Sequence, residues 1–159
     1  MKEHARKSTL IGRMLAPLSR NSRLFIRTLT VVNIFVYRLS GGRLGDHVEG
    51  SPICLVTMTG RKSGRQLTIA LVYTPHGDDV LLVASQGGAD EHPLWYHNLK
   101  AQPRIDIEVD GVRRAMLARE AEAAEHARLW PVVNRNYPAF ASYQTKTTRR
   151  LPIFVCSPT

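Results

Sequence analysis

Only two of the 159 residues are cysteine, Cys54 and Cys156, each inside an apolar run, ICLV and IFVC. Two thiols build no disulfide framework, and without a Cys-x-x-Cys there is no thiol pair for metal or redox exchange. Both are expected to be buried, reduced and inert, as in a cytoplasmic protein. Acids are scarce too: 13 Asp and Glu face 22 Lys and Arg, for a formal charge of +9. That balance points to an acidic partner. No apolar run is long and clean enough to span a bilayer, and none has the form of a secretory signal. There is no Gly-x-Gly-x-x-Gly after the first strand, no Gly-x-Ser-x-Gly elbow and no Walker A loop. His92 and His97 stand five apart, which does not align two ligands on one helix face, so no metal site is expected.

The positive charge is unevenly spread. Residues 1–50 hold nine Lys and Arg against three acids, so two thirds of the surplus lies in the first third of the chain. Residues 1–20 read as a basic, flexible arm. Residues 21–42 read as a basic amphipathic helix that ends at Gly41-Gly42. In it Phe25, Leu29, Val32, Val36 and Leu39 form one apolar stripe, while Arg20, Arg23, Arg27 and Arg38 fall within about 60° on the opposite side. Such a helix either lies on an anionic membrane surface, peripheral to its inner face, or packs on its own domain with a solvated arginine face.

Residues 43–159 read as one mainly β domain with helical inserts. PICLVTMT, QLTIALVYT, DDVLLVAS, RIDIEVD, VRRAMLAR and LPIFVC are short strands, with Asp110-Gly111 marking a hairpin. HPLWYHNLKAQ reads as a short helix, and residues 121–148 as helix interrupted near Pro131 and Pro138. Five or six mostly antiparallel strands with two helical inserts suggest a small closed or half-closed barrel.

Three stretches carry candidate chemistry. TMTGRKSGR, residues 57–65, is a tight turn with Arg61, Lys62 and Arg65 between two strands. Mutually repelling cations in one turn suit a phosphate or carboxylate ligand, although a solvated basic turn would look the same. ASQGGADEHPLWYHNL, residues 84–99, bends at Gly87-Gly88 and then carries Trp95, Tyr96 and Asn98 on a helix. An aromatic there is core or cofactor wall. In NYPAFASYQTKTTRR, Tyr137, Phe140 and Tyr143 recur every three residues on one helix face, a stripe that is core or the wall of a pocket for a planar substrate. The cations are not interleaved with aromatics as single-strand binding requires, so no nucleic-acid partner is expected. With an anion-seeking loop and no acid–base machinery, a cofactor is expected to supply the chemistry.

In order, YRLSGGRLG, TMTGRKSGR, VASQGG, HPLWYHNLKAQPR, YPAFASYQTKTTRRLP and a closing VCSP resemble the deazaflavin-dependent nitroreductase family of actinobacteria, across roughly residues 33–159. The resemblance implies a split β-barrel, related to FMN-binding proteins, and an oxidoreductase that uses reduced coenzyme F420 on quinones, nitroaromatics or activated double bonds. It implies that Arg61, Lys62, Ser63 and Arg65 grip the coenzyme's polyanionic tail. Backbone of Tyr73 and of Ala84, Ser85, Gln86, Gly87 and Gly88, with Trp95, Tyr96 and Asn98, would hold the rest. The substrate would sit under Tyr137, Phe140 and Tyr143, with Tyr137 or Tyr143 supplying a proton; members vary between monomer and homodimer. The chain departs from the family at Gln86, where a lysine is common, and at Phe140, where the studied nitroreductase has tyrosine. Alternatives on the same fold are an FMN- or haem-binding protein and a non-catalytic F420 carrier.

Overall fold

The computed structural model describes residues 47, 48 and 50–159; the expected basic arm and the 21–42 helix lie outside the described residues. Seven strands form one antiparallel sheet: β1 His47–Val48, β2 Ser51–Thr59, β3 Gln66–His76, β4 Asp79–Val83, β5 Arg104–Val109, β6 Val112–Glu120 and β7 Ile153–Pro158. Their order is β1-β2-β3-β4-β7-β6-β5, and β5 pairs back onto β2, with Leu55 opposite Glu108 and Thr57 opposite Asp106. Six strands thus close into the barrel that the strand pattern suggested, and β1 extends it at β2. Three helices fill the connections: α1 Leu94–Ala101, α2 Ala123–Asn136 and α3 Ala139–Gln144.

Period-two alternation sorts the side chains. Val56, Met58, Leu82, Ile105, Ile107, Met116 and Phe154 point into the barrel, where both cysteines join them. Burial raises the thiol of Cys54 far above its usual range and that of Cys156 to about 12, so both are protonated and inert. Full burial of a ring such as Phe154, 1% exposed, contributes about 2–3 kcal/mol. β4 and β7 bury their outer faces too. Leu81, Val83, Ile153 and Val155 pack there against Leu129 and Val133 of α2 and Phe140 of α3, which is why LLVA and IFVC read as unbroken apolar runs. On the inner side, Leu99 and Trp95 of α1 pack on the barrel cluster.

The structure corrects the helix pattern in two ways. α2 runs unbroken through Pro131, whose ring is exposed; the lost ladder bond is outweighed by burial of His126, Leu129 and Val133 on the opposite face. The break comes at Tyr137, held extended (φ −138°, ψ 91°) because a residue before proline avoids the helical region. Tyr137, Phe140 and Tyr143 therefore do not share one helix: the first lies between α2 and α3.

Candidate active site

Residues Gly60–Arg65 fold into a turn closed by two backbone bonds, Gly60 N–H to the Arg65 carbonyl (2.8 Å) and Gly64 N–H to the Gly60 carbonyl (2.8 Å). The turn is fastened to α1, since Arg61 N–H donates to Asn98 Oδ1 (3.1 Å). Asn98 is buried and its amide also faces the Met58 sulfur (3.7 Å). The structure thus places this residue as a brace under the turn. Arg61, Lys62 and Arg65 are exposed, and none forms an ion pair with a described residue, while Lys100, Arg113 and Arg119 each have a carboxylate partner. Three unneutralised cations at one fastened turn make a donor set for a polyanion.

Around the end of β4 the chain bends sharply. Gln86 adopts φ +47°, Gly87 +65° and Gly88 +87°, three left-handed residues in a row. Gly88 is buried against α3, where a Cβ would collide with the Tyr143 carbonyl and the Lys146 side chain. Ala84 is buried at the barrel seam, its N–H on the Pro152 carbonyl (2.9 Å); Ser85 is half-buried, and Gln86 and Gly87 are exposed. The bend is laced to residues 144–151: Arg149 donates to the carbonyls of Ala84, Ser85 and Ala89, and Thr147 Oγ1 donates to Asp90 (2.8 Å). Gln144 holds that strap in shape, donating to the Arg149 carbonyl (2.8 Å) and accepting from Leu151 N–H (3.0 Å).

Trp95 and Tyr96 rest against Phe154, with ring centroids 5.7 and 5.6 Å away. The Tyr96 hydroxyl donates to Glu120 (3.1 Å), which also pairs with Lys100 (3.0 Å). Burial, then this carboxylate, raises the Tyr96 phenol and keeps it neutral. Tyr137 and Phe140 are 7% and 4% exposed within the outer core, so the aromatic stripe is largely interior; Tyr143 is the ring that reaches half-way to solvent. The hydroxyls of Tyr137 and Tyr143 are 3.3 Å apart, and Lys146 Nζ stands 5.3 Å over the Tyr143 ring.

Contacts tie the cationic turn to α1 through Asn98, and the bend to α3 at Tyr143. Tyr73 stands apart. It lies seven residues along β3 from Gln66, about 20 Å from the turn. Its carbonyl accepts from Asn136 Nδ2 (2.9 Å), and it lines a cavity of about 290 Å³ at the other barrel mouth. Asp78, Asp79 and Asp110 rim that cavity against the single cation Arg114, the wrong sign for a polyanion. Sequence reasoning missed Arg149, His92, Glu120 and Lys146. Arg149 and exposed Arg150 are adjacent, and no spacing rule tells them apart.

Six closed strands with helical inserts define a split-barrel protein. Residues 29–158 match the profile of F420H(2)-dependent quinone reductases, and the chain belongs to that family. It is an F420H2-dependent oxidoreductase whose cofactor is reduced coenzyme F420. An F420H(2)-dependent quinone reductase of Mycobacterium tuberculosis is 39% identical over 124 residues, which cover 76% of this chain and 83% of that protein. Among solved structures, an F420-H2 dependent reductase superposes with TM-score 0.63 and 38% identity, covering 71% of this chain and 100% of the other. A structure described as a domain-swapped dimer gives TM-score 0.65 at 33% identity, covering 86% and 99%. A heme-binding protein of Mycobacterium smegmatis shares the fold alone, at 17% identity and TM-score 0.52.

Proposed function

We propose that the chain reduces a quinone-like planar acceptor, with the tail of coenzyme F420 held on the Gly60–Arg65 turn. Reduced coenzyme F420, when bound, supplies a hydride. The protein's part is then to bind, orient and shield. Arg61 and Arg65 offer forked donors and Lys62 a point charge, while Asn98 keeps the turn from swinging away. The Ala84–Gly88 bend, with Trp95 and Tyr96 behind it, forms the wall against which a flat ring system rests. When an acceptor gains negative charge on oxygen, Tyr143 donates the proton and Tyr137, 3.3 Å behind it, supports the phenol. Nitroaromatics and activated double bonds rank below quinones as acceptors, because Phe140 puts no third hydroxyl there. The observation that carries the reading is the turn whose three cations have no counter-charge among the described residues.

Titrating tryptophan fluorescence with F420 and with FMN tests it, in the native protein and in Arg61→Ala/Lys62→Ala. The double substitution is expected to weaken F420 binding about 10- to 100-fold, exposed charge contacts being modest one by one. FMN, with one phosphate, should bind weakly throughout. Unchanged F420 affinity would remove the turn from the site.

A quinone-like acceptor of lipid character gives the stripe and arginine face of residues 21–39 a purpose, docking on an anionic membrane surface. Among the described residues no helix is long and apolar enough to cross a membrane. Binding to anionic vesicles should be salt-sensitive and vanish when residues 1–40 are deleted; binding indifferent to the deletion refutes it. The domain-swapped relative supports pairing into a homodimer, which light scattering on the purified full chain checks: a monomeric mass refutes it.

A further inference from the structure

Arg149 ties residues 144–151 to the Ala84–His92 segment through a single guanidinium. It donates from Nε to the Ala89 carbonyl (2.7 Å), from Nη2 to the Ser85 carbonyl (2.9 Å) and from Nη1 to the Ala84 carbonyl (3.2 Å). The second Nη1 hydrogen faces His92 Nδ1 at 3.1 Å. Four of the five N–H groups of an arginine are thereby spent, three of them on one bend. The carbonyls of Ala84, Ser85 and Ala89 converge on one point, an arrangement their dipoles resist without a cation between them. The same bend carries Gln86 in the left-handed region, where a residue with a Cβ is strained. Its shape therefore depends on what Arg149 does.

What Arg149 does depends in turn on His92. Nδ1 accepts from Nη1 only if it holds a lone pair, so the ring must be neutral with its proton on Nε2. The groups that face His92 are the Arg149 guanidinium, the Tyr96 ring stacked at 4.1 Å, His97 at 6.2 Å between centroids, and Glu120 beyond Tyr96. A proton on Nδ1 would set N–H against N–H and bring two like charges within 3.1 Å. Glu120 opposes this weakly, since it lies beyond Tyr96 and its Oε2 is already engaged by both Tyr96 and Lys100.

We propose that Arg149 and His92 are positioning residues for the reduction: Arg149 sets the shape of the Ala84–Ala89 bend, and neutral His92 latches Arg149, so that acid loosens the bend. The link to the coenzyme rests on the site reading proposed above. Burial first, then the Arg149 charge, hold the His92 imidazolium below the ordinary histidine range. Because the folded value is depressed, the latch is complete above the unfolded value of about 6.5 and is lost as pH falls through the lower folded value.

Amide hydrogen exchange on the coenzyme-free full chain tests the latch, with each rate corrected for intrinsic exchange. The amides of Ser85–Asp90 are followed at about pH 8 and about pH 5 in the native protein, His92→Asn and Arg149→Lys. Native protection should drop about tenfold in acid, the scale of one charge-assisted bond. His92→Asn should hold one level at both pH values, since its amide oxygen accepts the same bond and takes no proton. Arg149→Lys should be unprotected at both, because an ammonium cannot serve three carbonyls and a ring. If the native protein and His92→Asn respond identically to pH, or Arg149→Lys keeps its protection, the proposal is overturned. Should Arg149→Lys fail to fold, the His92→Asn profile decides alone. Parallel titration with F420 separates the two readings. Affinity that tracks protection supports both; protection that behaves as expected with affinity unmoved upholds the latch and removes the coenzyme from this bend.

Discussion

The Gly60–Arg65 turn and the Ala84–Ala89 bend, both assigned to the proposed coenzyme site, are built on opposite economies. At the turn, two backbone bonds and one buried asparagine do the holding, and the charged side chains have no ion-pair partner among the described residues. At the bend, a guanidinium, a threonine and a glutamine from residues 144–151 all serve to fix a backbone that offers no charge of its own. The turn supplies attraction, which is strong at a distance and tolerant of angle. The bend supplies shape, which must be right to within a fraction of an ångström. A site for a ligand with a flexible anionic tail and a rigid flat head needs one of each.

The largest effect that tests this contrast comes from the same substitution made twice. Gly64 and Gly88 both have left-handed backbones, φ +65° and +87°. Around Gly64 an added Cβ meets nothing, so Gly64→Ala should cost about 1 kcal/mol, the strain of the dihedral alone. Around Gly88 it meets the Tyr143 carbonyl and Lys146, and one of two backbones must move. Gly88→Ala should cost about 3 kcal/mol or more, lowering Tm by roughly 6–12 °C for a chain of this length. Calorimetry of the two variants reads the difference directly. Equal shifts would mean that the bend is as loosely held as the turn, and the contrast would be gone.

The turn was legible as a cationic feature because charge is a property of the residues themselves: three cations and two glycines stand between β-branched runs, although a solvated basic turn reads the same way. The barrel was legible for a similar reason, since alternation along PICLVTMT or RIDIEVD follows from burial on one face. The bend's support was not. Arg149 differs from exposed Arg150 only in which carbonyls lie nearby, and those belong to residues about sixty positions upstream. His92, read as a failed metal ligand, works as an acceptor for a partner 57 residues away. The aromatic stripe misled in another way. Its spacing suggested one helix face, but Tyr137 precedes a proline and leaves the helical region, so two of its three rings turn inward.

Phe140→Tyr probes that inward turn with the smallest expected effect. Phe140 is 4% exposed, its ring 4.9 Å from Tyr137 and 6.5 Å from Tyr143 between centroids. A hydroxyl added there enters the outer core, at a cost of about 1–3 kcal/mol if it finds no partner. The Tyr137–Tyr143 hydroxyl pair is close by, and a bond to it would offset most of that cost. The new phenol would then extend the proposed donor pair of Tyr137 and Tyr143, and the rates on nitroaromatics should rise about severalfold relative to quinones. Two measurements separate the possibilities, the melting temperature and the rate profile over both acceptor classes. Lost stability with an unchanged profile would assign Phe140 to the core alone and leave Tyr143 as the one ring of the stripe that meets substrate. Retained stability with a shifted profile would make the stripe a wall whose inner layer still tunes the chemistry.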